Sequence, residues 1–340
     1  MPDTTELRVG IVGAGLMGWR RAPVLQQFPN TKIKIIAAAH QQSAEKLAAA
    51  VGCTATDRWQ DVISRDDVNV VLVATPPHLH PEISIAAMKA GKHVLCEKPL
   101  ARFTSEAEEM VSVAKATGVT FKCGFNHRHH PAVLKAKAAL DNGSLGELNF
   151  MRARYGILGR PGYEKEWRAN PAYTGGGQLM EQGIHAVDLF RWFAGDFNEA
   201  SGFVATRYWK IKPLEDNAFA IFRNQQGQMA SLHSSLTQWK NIFSLEIFGQ
   251  NGYAVIEGLG GGYGTETISL GMRDFNKPFS DEVIEYRGGD SSWKEEWHEF
   301  INAVQEKREP LGSGADGIAA IKYVHAVYES SQTGRVVPLR

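Results

Sequence analysis

The chain has 340 residues, 43% hydrophobic and 22% charged, a balance ordinary for soluble globular proteins and a length that allows two domains. Its 37 basic side chains match 37 acidic ones, so no global field recruits nucleic acid or an anionic membrane, and neither partner is expected. No apolar run approaches the ~20 residues of a membrane span.

The three cysteines, Cys53, Cys96 and Cys123, are odd in number and far apart. They fit free thiols in a reducing compartment and offer no metal-ligand pair, so no metal is expected. The opening MPDTTELRV lacks the basic and apolar regions of a secretory signal, and a cytoplasmic location is expected.

Taken in chain order, Val9–Val12 reads as a buried parallel strand, and a helix starts at Leu16. Between them Gly13, Gly15 and Gly18 stand in the spacing G-x-G-x-x-G. Gly13 allows a tight turn, Gly15 lets a pyrophosphate approach the backbone, and Gly18 lets the helix pack on the strand. Gly13, Ala14, Gly15, Leu16, Met17 and Gly18 are therefore candidate cofactor contacts at a helix N-terminus that favours anions. The alternative is a glycine-rich turn in some other α/β protein.

Lys32–Ala39 reads as a second strand and Ser43–Val51 as a helix. Val68–Ala74 is a strand ended by Thr75-Pro76-Pro77, where prolines forbid ladder bonds. A helix over Pro81–Ala90, a strand over His93–Cys96, a helix over Ser105–Ala116 and a strand over Thr120–Phe125, counted as the sixth, complete the alternation. Such alternation predicts a doubly wound parallel sheet.

The texture then changes. After a helix near Ala132–Asp141 come strands at Glu147–Tyr155, Ala200–Trp209, Ala218–Phe222, Met229–Leu236, Ser244–Phe248, Tyr253–Glu257 and Thr265–Leu270, with one strong helix over Gly177–Phe193. Long strands joined by Gly and Asn turns predict a large, mostly antiparallel open sheet in an α+β domain. The boundary is placed near Phe125: residues 1–125 form the dinucleotide-binding domain, and 126–340 the domain for substrate binding and oligomerisation. Two closing helices within 292–333 are free to pack on either.

Several side chains can carry chemistry. Glu97-Lys98-Pro99 ends a sheet strand, where open α/β sheets place ligands, so Glu97 and Lys98 are candidate cofactor contacts, and Lys98 can steady a developing alkoxide or, partly buried, act as acid or base; the bland reading is an exposed lysine after a strand. Glu181 and His185 are four apart on the predicted helix, so a carboxylate can orient an imidazole as a general base; the bland reading is a surface pair. Thr75, Pro76, Pro77 and His80 sit at another strand end as candidate cofactor contacts. That contact is through the backbone, and the side chains of His78 and His80 read instead as structural or exposed. Asn126-His127-Arg128-His129-His130 resembles a metal cluster, but the absence of ligand-spaced partners favours a polar interdomain loop, with Arg128 a candidate for holding a polar or anionic substrate. Tyr163, Trp167 and Arg168 fit either a sugar-stacking lid or plain loop packing.

These motifs in this order, from Gly13–Gly18 through Thr75-Pro76-Pro77 and Glu97-Lys98-Pro99 to the G-x-H-x-x-D pattern at Gly183–Asp188, resemble the Gfo/Idh/MocA oxidoreductases. The resemblance implies an N-terminal Rossmann domain binding NAD(P). It implies hydride transfer between the nicotinamide and a hydroxyl carbon of a sugar, inositol or sugar derivative, in a cleft against the C-terminal sheet. It puts the family's lysine on Lys98 and its catalytic histidine on His185, with His185 as base and Lys98 steadying the oxygen or the two roles exchanged. Substrate contacts are then Lys98, Arg128, Tyr163, Trp167, Arg168, Glu181 and His185.

Two departures stand out. Glu181 replaces the usual aspartate, and the second strand ends in Ala39-His40-Gln41-Gln42-Ser43 without the acid that binds an NAD ribose. His40, Gln41 and Ser43 become candidate cofactor contacts, with a slight lean to NADP although no arginine is present. The alternatives are a nucleotide-binding sensor without turnover and an NAD-dependent glycosidase. A homodimer or homotetramer is expected through an exposed sheet face.

Overall fold

A computed structural model describes residues 6–277 and 280–339; the first five residues of the segment read above for a leader lie outside them. The chain divides into two compact units. One comprises the residues up to Phe125 together with Trp293–Ile318; the other comprises Asn126–Ser292 and the chain from Ala319 onward.

The first unit runs β1 (Leu7–Val12), α1 (Leu16–Leu25), β2 (Thr31–Ala37), α2 (Gln41–Val51), β3 (Thr54–Thr56), α3 (Trp59–Ser64), β4 (Val70–Val73), α4 (His80–Lys89), β5 (His93–Glu97), α5 (Thr104–Thr117) and β6 (Phe121–Gly124). The strands form a parallel sheet in the order β3-β2-β1-β4-β5-β6. All four residues of β4 are buried, as a strand covered on both faces requires. The short β3 and α3 are elements that the sequence reading did not delimit.

The second unit runs α6 (Pro131–Asp141), β7 (Leu148–Gly156), α7 (Pro171–Thr174), α8 (Ile184–Ala194), β8 (Glu199–Ala205), β9 (Asn217–Arg223), β10 (Met229–Ser235), β11 (Ile242–Gly249), β12 (Gly252–Glu257), β13 (Glu266–Met272) and β14 (Asp281–Tyr286). Two further helices, α9 (Ser292–Glu306) and α10 (Gly314–Thr333), precede β15 (Val337–Pro338). The sheet order is β14-β13-β12-β11-β7-β10-β9-β8-β15, antiparallel except for the β7–β10 pair. Along β9 the inner residues Ala218, Ala220 and Phe222 are buried while Phe219 and Ile221 face outward, a period-2 pattern with one packed face.

The closing helices divide between the units. Trp297, Phe300, Ile301 and Val304 of α9, spaced as one helical face, join the core formed with Leu7, Val9, Ile11 and Leu72. The Trp297 indole donates to Thr31 Oγ1 at 3.1 Å. Most of α10 packs in the second unit, where Ser330 and Ser331 hydroxyls accept from the Gly202 and Val204 amides of β8.

Candidate active site

In the first unit the glycine turn is shaped by its neighbours. Gly13 has φ +119, and a Cβ there would lie 2.3 Å from the Ala74 carbonyl oxygen. At Gly18 a Cβ would lie 2.2 Å from the Gly13 carbonyl oxygen. A Cβ on Gly15 would meet nothing within 4 Å, so the space above it is open. Gly15 caps α1 without a side-chain hydrogen bond, and no acid occupies the first turn. Uncapped N–H groups beside open space, next to the exposed Leu16 and half-buried Met17, fit a dinucleotide pyrophosphate.

The same sheet edge carries the other strand-end residues. Thr75 follows β4, and its hydroxyl is buried without a hydrogen-bond partner among the described residues. Half-buried Lys98 follows β5. At the end of β2, exposed His40 caps α2 with no side-chain bond and no acid in the first turn; Gln41 is exposed and Ser43 half-buried.

The His80 side chain has the structural role read for it, whereas the expected cofactor contact through the Glu97 side chain is corrected. The His80 side chain is buried, with Nδ1 2.9 Å from the Pro99 carbonyl oxygen and Nε2 2.7 Å from that of Thr75. It clamps the two strand-end loops together, and burial pushes its pKa down to about 4. The Glu97 carboxylate is likewise buried and turned inward, where it accepts from Arg21 Nε at 2.8 Å. Arg21 also pairs with the buried Glu296 of α9, which has Lys122 Nζ 3.6 Å away. Burial weakens the hold of Arg21 on its proton, but Glu296 and Glu97 outweigh it and leave the guanidinium pKa above its ordinary value.

In the second unit the helix predicted over Gly177–Phe193 is broken into a π-helical turn, Leu179–Gly183, followed by α8. His185 thus lies on the first turn of α8 and Glu181 in the wider π-helical turn. Glu215 pins the start of this turn. Its carboxylate accepts from Gly177 N at 2.9 Å, Leu179 N at 2.8 Å and Tyr328 Oη at 2.9 Å.

His185, on the first turn of α8, is buried, and its ring stacks on His127 with centroids 3.8 Å apart and planes at 15°. The His127 Nε2 lies 3.0 Å from the Tyr155 hydroxyl of β7. Glu181 is partly exposed and bound by Arg168 Nε, and the Arg168 guanidinium lies 4.4 Å above the Trp167 ring.

Two expected substrate contacts are also corrected. Arg128 is buried in a bidentate pair with Asp188, Nε to Oδ2 at 2.8 Å and Nη2 to Oδ1 at 2.6 Å, which ties the 126–130 segment to α8. Tyr163 is buried with Ile211, Leu214 and Leu236 in a satellite apolar cluster, so loop packing accounts for it. The sequence reading did not single out Glu215 or Tyr155. Their only local signals were an acid and an aromatic ring in segments that otherwise read as loop and strand.

Residues 7–125 match the family model described as "Oxidoreductase family, NAD-binding Rossmann fold", and residues 133–255 match the GFO/IDH/MocA C-terminal domain. The levoglucosan dehydrogenase of Pseudarthrobacter phenanthrenivorans is 27% identical over 96% of both chains. The dTDP-3,4-didehydro-2,6-dideoxy-alpha-D-glucose 3-reductase of Actinomadura kijaniata is 31% identical over 68% of both. Among solved structures, levoglucosan dehydrogenase in complex with NADH and levoglucosan is 26% identical, with a TM-score of 0.89 over 98% of this chain and 99% of that one. The open cradle above Gly15 and these matches agree, and the chain belongs to the Gfo/Idh/MocA family of NAD(P)-dependent oxidoreductases.

Proposed function

We propose that the protein oxidises a hydroxyl carbon of an uncharged sugar or cyclic polyol, or reduces the corresponding ketone. One observation carries this reading. The open pyrophosphate cradle after β1 and the Lys98 ammonium after β5 stand at one edge of a parallel sheet, so an alkoxide-stabilising charge accompanies the cofactor.

When bound, NAD(P) supplies the hydride acceptor. In the oxidation direction His185 takes the hydroxyl proton and Lys98 steadies the negative oxygen. Glu181, Arg168 and Trp167 contact the sugar, with Glu181 and Arg168 as a neutralised pair. The pairing of Arg128 with Asp188 and of Arg168 with Glu181 supports a neutral substrate over an anionic one. His40, Gln41 and Ser43, at the end of β2 where the adenosine ribose would be held, include no acid to repel a 2′-phosphate, which favours NADP.

The test is a turnover assay with levoglucosan, myo-inositol and 1,5-anhydro-D-fructose, the substrates named for relatives, against both nicotinamide cofactors. Activity with at least one substrate is expected. His185→Asn and Lys98→Ala are each expected to lower kcat about 10²–10⁴-fold while leaving cofactor affinity within about threefold. Full turnover in His185→Asn overturns the proton-acceptor role.

The outer sheet face, with Phe203, Phe219, Ile221 and Met229 at least half exposed, favours pairing with a second copy of the chain.

A further inference from the structure

His127 belongs to the histidine-rich segment that the chemistry above leaves unused, yet its ring covers one face of His185 at 3.8 Å. Its protonation is dictated from a distance. The Ser292 hydroxyl donates to the Asp290 carboxylate at 2.5 Å and accepts from Asn126 Nδ2 at 2.8 Å. That bond orients the Asn126 amide, so its Oδ1, 3.2 Å from His127 Nδ1, is an acceptor. His127 must then carry its proton on Nδ1. Its Nε2, 3.0 Å from the Tyr155 hydroxyl, is left to accept.

We propose that His127 is a positioning residue for His185: a neutral imidazole, held as the Nδ1–H tautomer by the Asp290–Ser292–Asn126 relay, that backs the His185 ring while that ring takes up the substrate proton. The inference rests on the reading of His185 as proton acceptor. Two imidazolium rings 3.8 Å apart repel strongly in a buried site, whereas an imidazolium over a neutral ring is attracted.

The surrounding charges are arranged consistently with one cation there. Asp188, one turn along α8, is paired with Arg128, and Glu181 is paired with Arg168. His130, edge-on to His127 at 5.5 Å, has Glu266 2.8 Å from its Nδ1. The Tyr155 hydroxyl has a second acceptor for its one hydrogen in Tyr263 Oη at 3.3 Å, and the shorter contact, to the more basic His127 Nε2 at 3.0 Å, takes it. Phe243 closes another side of the His127 ring.

The test is 15N-histidine NMR of the intact protein, with resonances assigned through His127→Phe and His185→Asn. The expected spectrum at pH 7 shows His127 neutral, protonated on Nδ1 and bare at Nε2. Asn126→Leu, which breaks the relay, is expected to release it into a mixture of tautomers. An imidazolium or an Nε2–H tautomer at His127 in the unaltered protein overturns the proposal.

Kinetics give a second readout. His127→Ala is expected to lower kcat about tenfold or more and shift the pH profile of kcat/KM, with cofactor KM unchanged and His127→Phe restoring much of kcat through its ring. Unchanged kcat and pH profile in His127→Ala also overturn it. Full turnover in His185→Asn would instead remove the catalytic reading and leave the tautomer of His127 as found, so the two failures are distinguishable.

Discussion

At the scale of single residues, the chemistry read from the sequence survives best where a residue type has one plausible job. Gly13, Gly15 and Gly18 follow that logic, since each tolerates or requires the absence of a Cβ for a reason visible in its neighbours. Charged residues were harder to place. Arg128 and Glu97 meet partners 60 and 76 positions away, and nothing local distinguishes a cation awaiting substrate from one already buried in a pair. The Arg21 cluster makes a direct prediction. Removing one member of a buried ionic network leaves the others uncompensated, so Arg21→Met is expected to cost about 3–5 kcal/mol by urea unfolding. Adding Glu97→Gln to that variant removes one stranded charge and is expected to recover part of the loss. A cost below about 1 kcal/mol would mean that the network carries little of the unit's stability.

Among the elements, those with a strong period or an apolar run were legible, and those without were not. β3 is three residues long with no buried position, and β14 carries three acids on a mostly exposed edge. Neither offers a signal that burial could impress on the sequence. The π-helical turn before α8 is invisible for another reason: apolar spacing in Gly177–Phe193 suits a continuous helix, and Glu215, which holds the amides of Gly177 and Leu179 at its start, is 36 and more positions away.

The His80 clamp between the β4 and β5 loops is testable through pH. The unfolded ring takes a proton near pH 6.5, while the folded ring, disfavoured as a cation by burial, resists until about pH 4. Its contribution to stability is therefore complete above pH 6.5 and is lost as pH falls through that window, on the order of 3 kcal/mol in all. Denaturant titrations between pH 7 and 4 are expected to show this loss, and His80→Gln is expected to flatten it. An equally steep profile in the variant would assign the acid sensitivity to other groups.

For the whole molecule, the resemblance read from four motifs agrees with family matches covering both the nucleotide-binding and the sheet-bearing parts of the chain. Among the described residues no helix is long and apolar enough to cross a membrane. The outward face of the large sheet is the feature that this scale must explain. Phe203 is 73% exposed, with Phe219 and Ile221 at 55% and 54%, a cluster of the kind that marks protein contacts. Light scattering after size exclusion is expected to give a mass at least twice that of one chain at micromolar concentration. Phe219→Glu with Ile221→Arg is expected to give single chains. A monomeric unaltered protein would refute the pairing.

The return of Trp293–Ile318 to the first unit has a consequence for how the chain is made. During synthesis the nucleotide-binding part emerges first, yet Trp297, Phe300 and Glu296 reach the ribosome exit only after more than 170 further residues beyond Phe125. Until then the nascent sheet has bare apolar flanks and Arg21 lacks one of its counter-ions. The amino-terminal third is thus a dependent fragment that waits on translation of the carboxy-terminal end, and excising it as a portable nucleotide-binding module would leave it incomplete.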